Sequence, residues 1–201
     1  MKLETRAAER RDLPELKRMI DEYLAVDYYS LEELEACIQG DRNLFYVVTD
    51  AEKGDGIVSF YYAALTPLDE ALEILHVRQT PEALRGYSPD TPVGIYKTAS
   101  TATDYRKHGI CTSFVRDLEP VMRQRGAKMI VATAWRTPDD SIPMKKIFHD
   151  AGFEPIAEIR RPWESLTLYC VYCKRTHCIC DAVFYMKKLD ETKDGDLNEQ
   201  G

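Results

Sequence analysis

Between Gly94 and Ala134 the chain changes hydrophobic period twice, and no other feature restricts the fold as much. Gly94–Thr101 has the make-up of a strand, Ala102–His108 is a polar loop, and Gly109 opens a helix running to Arg125. In that helix Cys111, Phe114, Val115, Leu118 and Met122 recur at helical spacing, so they share one face. Gly126 stops the helix, and Lys128–Ala134 reads as a second strand. Strand, helix and strand in that order make an α/β crossover, which excludes an all-helical bundle and a plain β-sandwich.

The flanking sequence fills in a mixed α/β (α+β) domain. Leu3–Arg6 is a short strand, and Asp12 is placed to cap a helix with Pro14 in its first turn and Glu15 behind it. Leu13, Leu16, Met19, Ile20, Tyr23 and Leu24 form the buried face of that helix. Ser30-Leu31-Glu32-Glu33 is a second capping signature, and Gly40 closes the helix it opens. Leu44–Thr49 and Ile57–Leu65 are β-rich runs joined by Glu52-Lys53-Gly54-Asp55-Gly56, a hairpin signal. Residues 66–92 are broken by Pro67, Pro81, Gly86, Pro89 and Pro92, with one short element expected at Ala71–Val77. Met144–Ala151 is a helix ended by Gly152, and Phe153–Arg160 and Ala182–Lys188 are strands on either side of a cysteine cluster. The expected organisation is one domain over residues 1–189, with a Cys-rich insertion at 162–181 and a disordered polar tail at 190–201.

Charge narrows the partners. Against 27 Lys and Arg the chain carries 34 Asp and Glu, a net charge of −7. Binding to nucleic acid needs the opposite surplus and is not expected. No apolar run approaches the roughly 20 residues of a membrane span, so no membrane partner is expected either. Met1–Arg6 lacks the apolar core of a secretory signal, and the expected compartment is the cytoplasm.

The chemistry starts at Arg106-Lys107-His108-Gly109-Ile110-Cys111-Thr112. The start of a helix presents unpaired N–H groups and a partial positive charge, which suit a pyrophosphate. Gly109 lets the backbone come close, and Arg106 and Lys107 add cationic charge. Asp104-Tyr105-Arg106-Lys107-His108-Gly109-Ile110 resembles the pyrophosphate loop of the general N-acetyltransferase (GNAT) superfamily, Arg/Gln-x-x-Gly-x-Gly/Ala. Phe148-His149-Asp150-Ala151-Gly152-Phe153 resembles the family's Tyr-x-x-x-Gly-Phe at the end of the next helix, and the order of elements agrees over residues 2–188.

The resemblance implies the GNAT acyl-CoA N-acyltransferase fold, a central, mostly antiparallel sheet flanked by helices, with acetyl-CoA as donor and a primary amine as acceptor. It implies that Ala99 and Thr101 pair with the pantetheine arm and hold the thioester carbonyl. The N–H groups of Lys107, His108, Gly109, Ile110, Cys111 and Thr112 would cradle the pyrophosphate. Ser141 falls where many members have an Asn on the cofactor, and Phe148 falls beside the cofactor, where many have a Tyr general acid. A phenyl ring donates no proton, and Gly94-Ile95-Tyr96 has no Glu where histone-modifying members carry their base. His149, next along the helix, points about 100° away. Glu73, His76, Tyr96 and Glu158 are candidate proton acceptors, and no catalytic residue is assigned. Cys111 takes a Gly or Ala position of the loop, as a small buried side chain or as a thiol activated by the helix end.

Cys170-x-x-Cys173 and Cys178-x-Cys180 place four of the six cysteines together. Four thiolates at this spacing suit structural zinc. An iron–sulfur cluster uses the same ligands, disulfides or free thiols are the other readings, and His177 could replace one cysteine. By the resemblance, the cluster lies in the last hairpin near the acceptor groove. There Trp163, Tyr169 and Tyr172 shape the acceptor site or dock a partner, or the cluster staples a long loop. Three functions compete: an acetyltransferase, an acyl-CoA-binding regulatory module with little turnover, and a zinc-knuckle interaction module for protein or RNA. A homodimer is left open.

Overall fold

Strand β1 (Leu3–Ala7) leads through a tight turn into helix α1 (Leu13–Tyr23), followed by a two-residue strand β2 (Ala25–Val26) and helix α2 (Leu31–Gln39). Strands β3 (Asn43–Asp50) and β4 (Gly56–Pro67) form the expected hairpin, and helix α3 (Leu68–Ile74) follows β4 directly. Strand β5 (Pro92–Thr101), helix α4 (Ile110–Gln124) and strand β6 (Met129–Arg136) are the crossover. Helix α5 (Lys145–Asp150), strand β7 (Glu154–Ile159), the short β8 (Tyr169–Cys170) and β9 (Asp181–Lys188) complete the order. This computed structural model describes residues 1–54 and 56–189, and the tail expected from residue 190 lies outside the described residues.

Among the described residues the main sheet has seven strands, in the order β1-β3-β4-β5-β6-β9-β7. Every pairing is antiparallel except β5 with β6. One face carries α4 and α5, packed through Phe114, Val115, Leu118, Met122 and Phe148 onto Tyr96, Ile130, Ala132 and Tyr185. The other carries α1 and α2 over Phe45, Val47 and Phe60, and α3 over Val93, Ile95, Met129 and Val131. The alternation Met129, Ile130, Val131, Ala132 therefore feeds opposite cores. Gly94 lets α4 close down on β5, because a Cβ there would stand 3.0 Å from the Met122 sulfur.

Two expectations are corrected. Asp12 does not cap α1. Its own backbone is already helical, and its carboxylate instead takes Arg6 at 2.6 and 2.8 Å and the Glu9 N–H at 2.8 Å. The element expected at Ala71–Val77 runs earlier, from Leu68 to Ile74, because the helix starts directly behind Pro67 with Asp69 and Glu70 in its first turn. The Ser30 capping box forms as expected, with the Glu33 N–H donating to Ser30 Oγ at 3.1 Å and the Ser30 N–H to Glu33 Oε2 at 2.7 Å.

Candidate active site at a fork between parallel strands

Strands β5 and β6 pair only through Val93–Tyr96 and Met129–Ala132, yet β5 continues to Thr101 and β6 to Arg136. Beyond Tyr96 and Ala132 they part. β4 still covers one edge of β5 as far as Thr101, and β9 covers the outer edge of β6. The inner edges of residues 97–101 and 133–136 thus face a wedge with no strand of the described residues between them. A bulge marks its apex: Tyr62 pairs with Thr98 and Ala63 with Tyr96, leaving Lys97 with no opposite residue.

The loop after β5 lies at the mouth of the wedge. Lys107 (φ 65°) and Gly109 (φ 81°) are both left-handed, and left-handed residues of this kind are what builds the N–H concavities that bind anions. Gly109 is the N-cap of α4 and meets open space, so glycine is needed there for its φ and not for room. Behind it the first turn of α4 offers the N–H groups that no helical carbonyl can reach. The His108 ring N–H donates to Arg106 O at 2.9 Å, and Arg106 Nε donates to Thr101 O at 3.0 Å. The Arg106 guanidinium lies 5.4 Å from the Tyr23 ring centre, so it leans toward α1 and not out over the loop. Beneath, Ser59 Oγ bonds Thr101 Oγ1 at 2.9 Å and donates to Ser100 O at 2.8 Å. Tyr105 braces the loop by donating to Asp50 at 2.9 Å.

The expected cofactor residues thus fall around one opening: Ala99 and Thr101 on β5, residues 106–112 at its mouth. Ser141 is exposed, in a turn where its carbonyl accepts the Thr137 N–H at 2.9 Å. Phe148 is buried between Phe153 and Tyr185, with ring centres at 5.0 and 5.1 Å. Cys111 is half-buried, with its sulfur 3.5 Å from Thr101 Oγ1; burial pushes its thiol up, which favours the small-side-chain reading over an activated thiol.

The candidate proton acceptors separate. Tyr96 donates to Val115 O at 2.8 Å in the core, and burial pushes its phenol well up, so it is a packing residue. Glu158 is exposed and tied to Arg136 at 2.7 Å, which holds its carboxyl low. Glu73 is exposed on α3 and lends its carbonyl to the His76 N–H. His149 is exposed, as its helical position requires. His76 is half-buried just after α3, in a left-handed conformation at φ 58°. Lys97 and Thr133, the first residue of each strand past the fork, donate to Ile74 O and Leu75 O at 2.5 and 3.3 Å. Sequence reasoning missed both, because neither a bulge nor a fork leaves a compositional mark.

The four clustered cysteines converge. All four sulfurs lie within 4.8 Å of one another, with Cys170–Cys180 and Cys173–Cys178 each at 4.0 Å. None is in a disulfide. Sulfurs about 2.3 Å from a tetrahedral zinc stand about 3.8 Å apart, so the set is already of that size. The thiols of Cys178 and Cys180 hold Cys170 low by hydrogen bonding, and their own are pushed up. β8 of this knuckle pairs with β2, and Trp163 packs in the same core. Trp135, on β6 beyond the fork, packs at a tilt against Trp163 at 4.5 Å and Tyr172 at 5.2 Å between ring centres. Its indole N–H is buried without an acceptor among the described residues.

No family model matches the sequence. No curated protein matches it either. Solved structures do. The ribosomal-protein-S18-alanine N-acetyltransferase from Escherichia coli superposes with a TM-score of 0.63 at 14% identity, over 98% of this chain and 100% of that one. Arabidopsis thaliana NAA60 in complex with acetyl-CoA gives 0.67 at 12% identity, over 94% and 100%. An acetyltransferase of the GNAT family from Streptococcus pneumoniae gives 0.60 at 11% identity, over 94% and 100%. The fork, the left-handed loop behind it and these superpositions agree: the chain has the GNAT acetyltransferase fold.

Proposed function

We propose that the protein transfers an acetyl group from acetyl-CoA to a primary amine. The observation that carries this is the wedge between parallel strands, closed at its mouth by the Lys107–Gly109 turn and the start of α4. An extended thiol-bearing arm fits beside the unpaired edge of β5, and a pyrophosphate fits the N–H groups behind it. Ala99 and Thr101 are the residues we assign to the arm, and Lys107, His108, Gly109, Ile110, Cys111 and Thr112 to the pyrophosphate. Arg106 adds positive charge nearby, Ser141 borders the cofactor, and Phe148 backs the thioester. The amine would approach from the side of α1, α3 and the knuckle, where Trp135 keeps a buried N–H for an acceptor group. We further assign one zinc ion to Cys170, Cys173, Cys178 and Cys180, held as a structural centre that orders the wall carrying Tyr172.

The test is thiol release from acetyl-CoA by the full chain with a pool of short peptides bearing all N-terminal residues, beside small polyamines. Release above the amine-free rate is expected. Binding of acetyl-CoA with no release from any amine would favour the regulatory-module reading, which Phe148 in place of a proton donor motivates. Absence of binding would overturn both.

A further inference from the structure

We propose that His76 is the catalytic proton acceptor for the attacking amine, an inference that rests on the acetyltransferase reading above. Two observations single it out by conformation and place, and a third sets the other candidates aside.

First, the residue closes α3 in a position that favours glycine. The Val77 N–H bonds Leu72 O at 2.8 Å and the His76 N–H bonds Glu73 O at 3.0 Å, the paired closure in which the left-handed residue is ordinarily Gly. An imidazole at φ 58° carries a backbone cost that glycine would not, so its presence asks for a use of the side chain. Second, the segment is fastened to the fork from both sides. Lys97 at the β5 bulge donates to Ile74 O, and Thr133 on β6 donates to Leu75 O. Those are the first residues of the two strands past their last shared pair, so the residue after both carbonyls stands over the apex of the wedge. Third, among the four carried candidates, Tyr96 is spent in the core, Glu158 is tied to Arg136, and Glu73 faces solvent.

The protonation state agrees. Burial, with the Lys97 and Arg78 charges, lowers His76 to about 4, so near neutrality it is the neutral, accepting imidazole. A base that weak takes a proton only after attack, when the new bond has made the nitrogen acidic. The amine lone pair forms the N–C bond at the thioester carbonyl while the C=O π pair moves onto oxygen, and one N–H proton passes to His76. The oxygen pair then re-forms the carbonyl as the C–S bond breaks with its electron pair on sulfur, and the proton leaves His76 for the thiolate or for water. Amide and CoA thiol result.

The decisive variant is His76→Gly, which relieves the backbone, keeps the fold and leaves a space the size of an imidazole. It is assayed on the peptide and polyamine pool, with thermal stabilisation by acetyl-CoA as the control. A fall in turnover of about 100-fold or more, undiminished acetyl-CoA stabilisation, and recovery on adding free imidazole are expected. A glycine variant as active as the parent overturns the assignment, and so does a loss that imidazole does not restore while acetyl-CoA still binds. A parent chain that releases no thiol from any amine in the pool overturns the acetyltransferase reading and this one with it.

Discussion

At the level of single residues, Asp12 shows how a charge is buried where its partners already wait. Only 5% exposed, it would be costly to bury if Arg6 and the Glu9 N–H did not meet it. Burial pushes its carboxyl up, but the Arg6 guanidinium and the Glu9 N–H together win and hold it below its unfolded value of 3.8. A group depressed in the folded state stabilises it above the unfolded pKa, and that contribution is lost as pH falls through the folded one. Asp12→Asn should therefore cost about 1–3 kcal/mol at pH 7. The loss should shrink as the pH drops below 3.8, where the parent's carboxylate is being neutralised as well. Urea unfolding of parent and variant at pH 7 and near pH 3 measures both terms; an equal loss at the two would refute the ion-pair account. The same position shows what a sequence hides at this scale. An Asp ahead of Leu13 and Pro14 looks like a cap from local spacing, and only the return of β1 alongside brings Arg6 within reach. Tyr96 is similar: its hydroxyl looks available until α4 lays Val115 O over it.

Secondary elements were readable wherever a period ran long enough to decide the face. α1, α2, α4 and the β3–β4 hairpin follow their apolar spacing, α2 forms its capping box, and the loop at 106–112 stands out by its charged residues and glycine at a helix start together with its resemblance to the GNAT pyrophosphate loop. What escaped was set by pairing between distant strands: the bulge at Lys97, the divergence after Tyr96, and the docking of α3 on both. The knuckle lies between. Its cysteine spacing announced a cluster, but not that β8 would pair with β2 and so tie the α1–α2 connection to the C-terminal hairpin. Through that tie, an ion held by the four cysteines would be a matter of tertiary stability. Purified anaerobically, the chain should hold about one zinc, and chelation or Cys178→Ser should lower Tm by roughly 5–10 °C. Tryptophan emission should shift as Trp135 and Trp163 lose their packing, since both rings border the cluster's core. Visible absorbance with iron would replace zinc by an iron–sulfur centre, and a melting curve indifferent to chelator would remove the structural metal.

For the molecule as a whole, the fork is also a seam. β1, β3, β4 and β5 form one antiparallel group and β6, β9 and β7 another, and the sheet joins them through only the Val93–Tyr96 and Met129–Ala132 pairing. α4 reinforces the seam by packing on both sides, on Tyr96 from one and on Ile130 and Ala132 from the other. A ligand lying in the wedge would touch β5 directly and the start of α4, supplying backbone contacts where the sheet has none. It should therefore act as a clamp on the seam and not as a local plug. Linkage sets the size: acetyl-CoA at about 100 times its Kd adds about 2.7 kcal/mol, or roughly 5–10 °C in Tm for a domain of this length. Its location is the stricter test. Hydrogen exchange with acetyl-CoA bound should slow at those amides of residues 98–101 that face away from β4 and at residues 109–112 opening α4, because those are the groups left without strand or helix partners. Edge strands β1 and β7 lie strands away from the wedge and should exchange as before. Protection spread evenly over the sheet would mean that the ligand stabilises without occupying the fork. Protection confined to α1 and the knuckle would place it on the acceptor side, and the assignment of Ala99, Thr101 and the 107–112 loop to the donor would fall.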